Sequence, residues 1–102
     1  MSQVADERNS VEKALDVIEA LSGCAVQGAS NGALAKGLGL SPSTVTVTMQ
    51  KLIGKGWARK DDTTGLFHPT PAMGRVFGRV LADIDKAERN ITDLKHNFTR
   101  TA

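Results

Sequence analysis

One cysteine stands in the 102 residues, so Cys24 has no partner for an intrachain disulfide. With His68 and His96 as the two imidazoles, no cluster falls at zinc-ligand spacing. Cys24 is expected as a small packing or loop residue rather than a redox or metal group. No apolar run approaches the ~20 residues needed to span a bilayer. The segment from Met1 to Arg8 lacks a basic stretch followed by an apolar one, so the chain is expected in the cytosol, with no membrane partner. Also missing are paired carboxylates, a nucleophile beside a base and a phosphate-cradling glycine loop. Gly37-Leu38-Gly39 ends a helix where a phosphate loop would open one. These absences argue against an enzyme and against a metal or cofactor.

A further absence is local. Between Glu19 and Asp61 there is no acidic residue, while Lys36, Lys51, Lys55, Arg59 and Lys60 all lie there. Five cations and no acids give the middle third a formal +5, although the whole chain carries only +2. A polyanion-facing surface would need such a distribution, and an ordinary solvated face is equally compatible with it. The length fits one domain extended by a long terminal element, too short for a two-domain cleft. Apolar residues at 40% and charged residues at 24% are near globular averages, so the chain is expected to fold.

What is present reads as four helices and a hairpin. Residues 1–8 are expected to form a mobile arm. A first helix begins at Asn9 or Ser10, with Asn9 and Glu12 as a capping-box pair. Val11, Ala14, Leu15, Ile18 and Leu21 recur at spacings of three and four, which predicts the buried stripe, and Gly23 closes the helix. A short second helix is predicted from about Asn31 to Leu38, capped by Ser30 or Asn31, with Leu34, Ala35 and Leu38 inward. Ser41 and Pro42 open a third, burying Val45, Met49 and Leu52 and ending near Gly54. Two short helices joined by a tight turn make a helix-turn-helix.

Trp57 to Lys60 and Leu66 to Pro69, separated by Asp-Asp-Thr-Thr-Gly, predict a β-hairpin pinned to the helices by Trp57 and Phe67. In that turn Asp61 and Asp62 are expected to shape the loop, and His68 to be a solvated wing residue or a phosphate contact. The rest, from Pro71 to about Phe98 with Thr70 as cap, reads as one helix roughly 40 Å long. Phe77, Val80, Ile84, Ala87, Ile91, Leu94 and Phe98 form a heptad seam on it, expected to pair with a second copy. The alternative is that this helix folds back on its own domain. The fold class is therefore mainly α with a small β-hairpin. It is a winged helix-turn-helix over residues 9–70, a three-helix core plus wing, followed by a long helix over 71–102.

The third helix leaves Ser43, Thr44, Thr46, Val47, Gln50 and Lys51 outside or on the rim. Such residues are middling helix formers but suit a DNA groove. Hydroxyls meet phosphates or base edges, Gln pairs with adenine, and Val touches a thymine methyl. Ser43, Thr44, Thr46, Val47 and Gln50 are thus the candidate base readers. Ser41, Lys36, Lys51, Lys55, Arg59 and Lys60 are the candidate backbone contacts. A winged helix can also be a protein-docking module that never touches DNA, and a titration against duplex separates the two readings.

The run from Ser10 to Leu21, then Leu34 to Val45 with its Leu-Gly-Leu-Ser-Pro-Ser-Thr-Val, then Gly56-Trp57 stepping into the Asp-Asp-Thr-Thr-Gly wing, resembles the N-terminal DNA-binding domain of the isocitrate lyase regulator (IclR) family of bacterial repressors. The resemblance covers residues 10–80. It implies a dimer on a near-palindromic operator, and puts Ser43, Thr44, Thr46 and Val47 on the recognition face. Thr46 and Val47 stand where the family commonly carries a basic residue or His, and Thr48 where a Leu is usual. The effector-sensing domain that ordinarily follows has no counterpart in these residues, so a small-molecule effector is not expected. The chain reads as a minimal regulator or as the DNA-binding part of something longer, acting in the cytoplasm and on the nucleoid when bound to DNA.

Overall fold

A computed structural model describes residues 7–100. In chain order the elements are α1 (Ser10–Ser22), α2 (Asn31–Leu38), α3 (Pro42–Gly54), β1 (Ala58–Lys60), β2 (Phe67–Pro69) and α4 (Pro71–Thr99). Local chemistry sets most of these ends. Asn9 accepts from the Glu12 N–H at 2.9 Å while the Glu12 carboxylate accepts from the Asn9 N–H at 3.3 Å, the reciprocal capping box. Ser30 caps α2 through the Ala33 N–H. Gly39 ends α2 in the left-handed region at φ 66°, its N–H donating to Ala35 O, where a side chain would be strained.

One core joins these pieces. Val17 and Leu21 of α1, Leu34 and Ala35 of α2, and Val45, Met49 and Leu52 of α3 are buried together with Leu40, Ala58, Phe67 and Met73. Each fully buried aliphatic side chain contributes roughly 1.5–3 kcal/mol. Thr48 is buried beside them, so α3 turns a four-residue face inward.

The β1–β2 ladder is antiparallel, pairing Ala58 with Pro69, Arg59 with His68 and Lys60 with Phe67. Pro69 closes the ladder, as its missing N–H requires. The α1–α2 loop adds a third contact to it. Ala29 and Phe67 exchange backbone hydrogen bonds of 2.9 and 2.8 Å, tying the hairpin to the helices. At the wing tip the Asp61 carboxylate accepts from the Thr63 and Thr64 N–H groups at 2.8 and 3.0 Å. Asp61 is thus a loop-shaping residue.

Four sequence expectations need correction. Val11 and Leu15 of the expected α1 stripe are exposed, and Val17 takes the central buried place, because α1 rotates its 17/21 edge onto the core. Arg8 belongs to no free arm. Its guanidinium lies 2.7 Å from Asp16 Oδ2 and donates to Leu38 O at 2.9 Å, serving the carbonyl end of α2; residues 1–6 of that arm lie outside the described residues. His68 is buried, with Nδ1 3.3 Å from Ala25 O, so it is neither solvated nor placed for phosphate. Thr70 stands at the N-cap without capping: its hydroxyl donates to Gly56 O, and Pro71 needs no partner.

α4 is continuous over 29 residues, about 43 Å. Met73 is its one buried residue, and everything from Phe77 onward is exposed. No helix among the described residues is long and apolar enough to cross a membrane.

Candidate nucleic-acid interface

The residues that α3 keeps out of the core fall on two flanks. On the side of α1, Ser43, Thr44, Val47 and Lys51 face Ser10 and Lys13 across a groove of about 310 Å³. On the side of the wing, Thr46, Gln50 and Ile53 face Lys60 and Gly65 across one of about 260 Å³. The helix therefore stands as a ridge between two shallow clefts, a shape that a duplex major groove can receive with its sugar-phosphate walls in the clefts.

Hydrogen bonding decides what each hydroxyl on the ridge can offer. Ser41 Oγ accepts from the Thr44 N–H at 3.1 Å, donates to Thr44 Oγ1 at 2.8 Å and lies 3.1 Å from Ser43 Oγ. Its side chain is thus committed to the cap, which orients Ser43 and Thr44. Thr46 Oγ1 donates to Pro42 O at 3.0 Å and accepts from Asn31 Nδ2 at 3.0 Å. A hydroxyl has one hydrogen and two lone pairs, so Thr46 retains one lone pair and its methyl. Toward a base it can accept from an amino group or touch a thymine methyl, but cannot donate. Gln50 is exposed with no such commitment in its side chain, and both amide functions remain for a bidentate pair.

The cations separate into two groups. Lys51 and Lys60 line the two clefts. Lys60 shares its hairpin face with Phe67, its Nζ 5.8 Å from the ring centroid. Arg59 is one residue away and so emerges on the opposite face, beside buried His68. Lys36 is exposed in the last turn of α2, and Lys55 caps the far end of α3. The structure brings Lys51 and Lys60 to the ridge and leaves Lys36, Lys55 and Arg59 exposed outside the two clefts.

Sequence reasoning missed three contributors. Ser10 and Lys13 form the far wall of the α1 cleft. Asn31 locks Thr46 and also donates to Pro42 O at 3.2 Å. The signal in each case was weak, a polar residue in a first helical turn. The backbone amides of Thr64 and Thr63 hold the Asp61 carboxyl below its ordinary range, so the wing tip carries a fixed negative charge at neutral pH.

Comparison with known proteins agrees with this fold. The family model of the IclR helix-turn-helix domain matches residues 10–62. Among solved structures, a variant of Lactococcus lactis ZitR is similar with a TM-score of 0.50 and 17% sequence identity, over 95% of this chain and 68% of that one. At that identity the likeness speaks to the fold, a winged helix-turn-helix with a long C-terminal helix. None of the curated proteins compared matches this chain.

Proposed function

This chain belongs to the IclR helix-turn-helix family of DNA-binding transcription regulators, and from that premise we propose that it is a sequence-specific repressor that binds duplex DNA as a homodimer. In this reading α3 enters the major groove and the β1–β2 wing follows the backbone. Ser43, Thr44, Thr46, Val47 and Gln50 discriminate bases. Lys51 and Lys60 neutralise the phosphates of the groove walls, and Lys36, Lys55 and Arg59 those further out. The α4 seam that opens at Phe77 holds two copies together through Val80, Ile84, Ala87, Ile91, Leu94 and Phe98, while the Phe77 ring packs on Trp57. The protein then works in the cytoplasm, on the nucleoid.

One observation carries the proposal. The ridge of α3 is exposed, polar and adaptable, it is flanked by a cleft on each side, and each cleft holds a lysine. A surface built for docking another protein would present apolar anchors at its centre instead. Among the described residues, the exposed large apolar side chains of α3 are Val47 and Ile53, one in each cleft.

Selection of bound sites from a random duplex pool tests it. The expected result is a near-palindromic site whose half-sites are related by a dyad. With about four phosphate contacts per protomer, the affinity of a dimer falls with salt at a log-log slope near about −7. A reporter placed behind the recovered site should lose transcription when the protein is present. Recovery of no site, with no salt-dependent binding to any duplex, would leave a protein-docking module as the function.

A further inference from the structure

α4 leaves the core after Met73 and carries Val80, Ile84, Ala87, Ile91, Leu94 and Phe98 along one exposed edge. In heptad terms Ile84, Ile91 and Phe98 occupy a, and Val80, Ala87 and Leu94 occupy d. Phe77 would open this seam, but its ring already meets Trp57 edge-on, centroids 6.4 Å apart and planes at 76°. Beyond that contact the exposed stretch of the seam is residues 80–98.

Within that stretch the side-chain volumes are arranged about a centre. Val80 and Phe98 stand at the ends, Ile84 and Leu94 next, Ala87 and Ile91 in the middle. When a second copy is reversed about residue 89, Val80 meets Phe98, Ile84 meets Leu94, and Ala87 meets Ile91, each twice. Every layer joins an a residue to a d residue and sets a small side chain against a large one, or two equals together. We infer that α4 pairs with α4 of a second copy in antiparallel orientation, in the register that places Ala87 against Ile91. This rests on the homodimer reading above and adds its orientation and register.

The parallel pair is worse on both counts. It stacks each residue on itself, so Ala87 on Ala87 leaves a void and Phe98 on Phe98 is overfilled. It also sets Asp83 at g against Glu88 at e of the second copy on both edges, two like-charge contacts with no attractive pair to offset them. The antiparallel register has one like-charge contact, Glu88 near its own copy at the dyad. It places Lys95 beside the exposed Leu81, whose surface a lysine stem can cover.

The exposed apolar area of this seam is on the order of 500 Å² per helix, roughly 1,000 Å² for the pair, at the lower bound of a specific interface. That fits a dimer completed on DNA, where two half-sites supply the rest of the affinity. The dyad at residue 89 lies 16 residues beyond Met73. The two cores are then anchored about 48 Å apart along the rod.

Disulfide mapping on a Cys24→Ser background tests the register. The chain carrying Ile84→Cys is mixed at high concentration with the chain carrying Leu94→Cys, without DNA. The expected product is a linked heterodimer, with neither chain linking to itself, because like residues at 84 lie about 15 Å apart along the rod. Spin labels on His96→Cys, an outward position, should read about 21 Å of axial offset rather than side-by-side neighbours. Self-linking of each chain would establish the parallel pair and overturn the inference. So would no linking at all with a monomeric sedimentation profile. Both substituted positions are exposed and remote from the core, so circular dichroism should show the fold intact. Site selection scores the DNA reading separately: a recovered operator with no α4 linking removes this inference alone.

Discussion

Asn31, the first residue of α2, donates a hydrogen bond to Thr46 Oγ1 on α3 at 3.0 Å, and so joins the two halves of the helix-turn-helix through their side chains. The bond is exposed and contributes about 1 kcal/mol or less to stability. Its larger consequence is for readout, since it fixes which way the last lone pair of Thr46 points. Asn31→Ala should lower the melting temperature by only a few degrees yet broaden the preference at one operator position, measured by repeating site selection with the variant. An unchanged site would mean that Thr46 reads no base.

Substitutions on the ridge and in its clefts should separate affinity from specificity. Lys60→Gln should weaken binding to all duplexes about equally and shallow the salt slope by about 1 for each protomer. Arg59→Gln, on the opposite face of the hairpin, should do less. Gln50→Ala should instead change which sites are preferred, at a cost of about 1–3 kcal/mol on the best site. Fluorescence anisotropy against matched and mismatched duplexes at several salt concentrations distinguishes these outcomes. Equal effects of Lys60 and Arg59 would show that the wing approaches DNA through another face.

Gly28 leaves the room that the His68 ring fills. A Cβ at 28 would stand 2.7 Å from the ring Cε1 and Nε2, and the backbone there is left-handed at φ 77°. Gly28→Ala should therefore destabilise the fold by about 2–4 kcal/mol, the sum of backbone strain and overpacking. Combining it with His68→Ala removes the clash but not the strain, so the pair should be less than additive. Urea titrations of the single and double variants measure the difference, and strict additivity would contradict the packing described.

The wing tip should be insensitive to pH across the neutral range. Amide hydrogen bonds from Thr64 and Thr63 lower the pKa of Asp61 from its ordinary 3.8. A carboxyl held low in this way lends its support above the ordinary value and withdraws it as pH falls through the lowered one. The Thr63 and Thr64 amide resonances should thus hold steady from pH 8 down to about 4 and move only below that. Asp61→Asn should flatten the transition. A midpoint above 3.8 would show that the carboxylate does not hold the turn.

The elements that could be read along the chain were those set by neighbours in sequence. Asn9 with Glu12, Ser30, Gly39 and Ser41-Pro42 each satisfy or release backbone groups within a turn, so the bounds of α1, α2 and α3 follow from composition. The core face of α3 was legible for a similar reason, because Val45, Met49 and Leu52 offer one apolar stripe and no rival. α1 has two overlapping stripes, and its local sequence does not rank Val11 and Leu15 against Val17.

Tertiary packing made that choice, and others like it. The Ala29–Phe67 bridge draws the α1–α2 loop over the hairpin and buries His68, which its position in a wing alone would have left in water. The two clefts exist because α1 and the wing stand on either side of α3, and Ser10, Lys13 and Asn31 enter the site only through that placement. What the chain itself determined was where each helix starts, where it stops and which residues it must hide. Which face turns inward, and what then borders the exposed one, was decided by the mutual fit of separate elements, because burial is shared between surfaces distant in sequence.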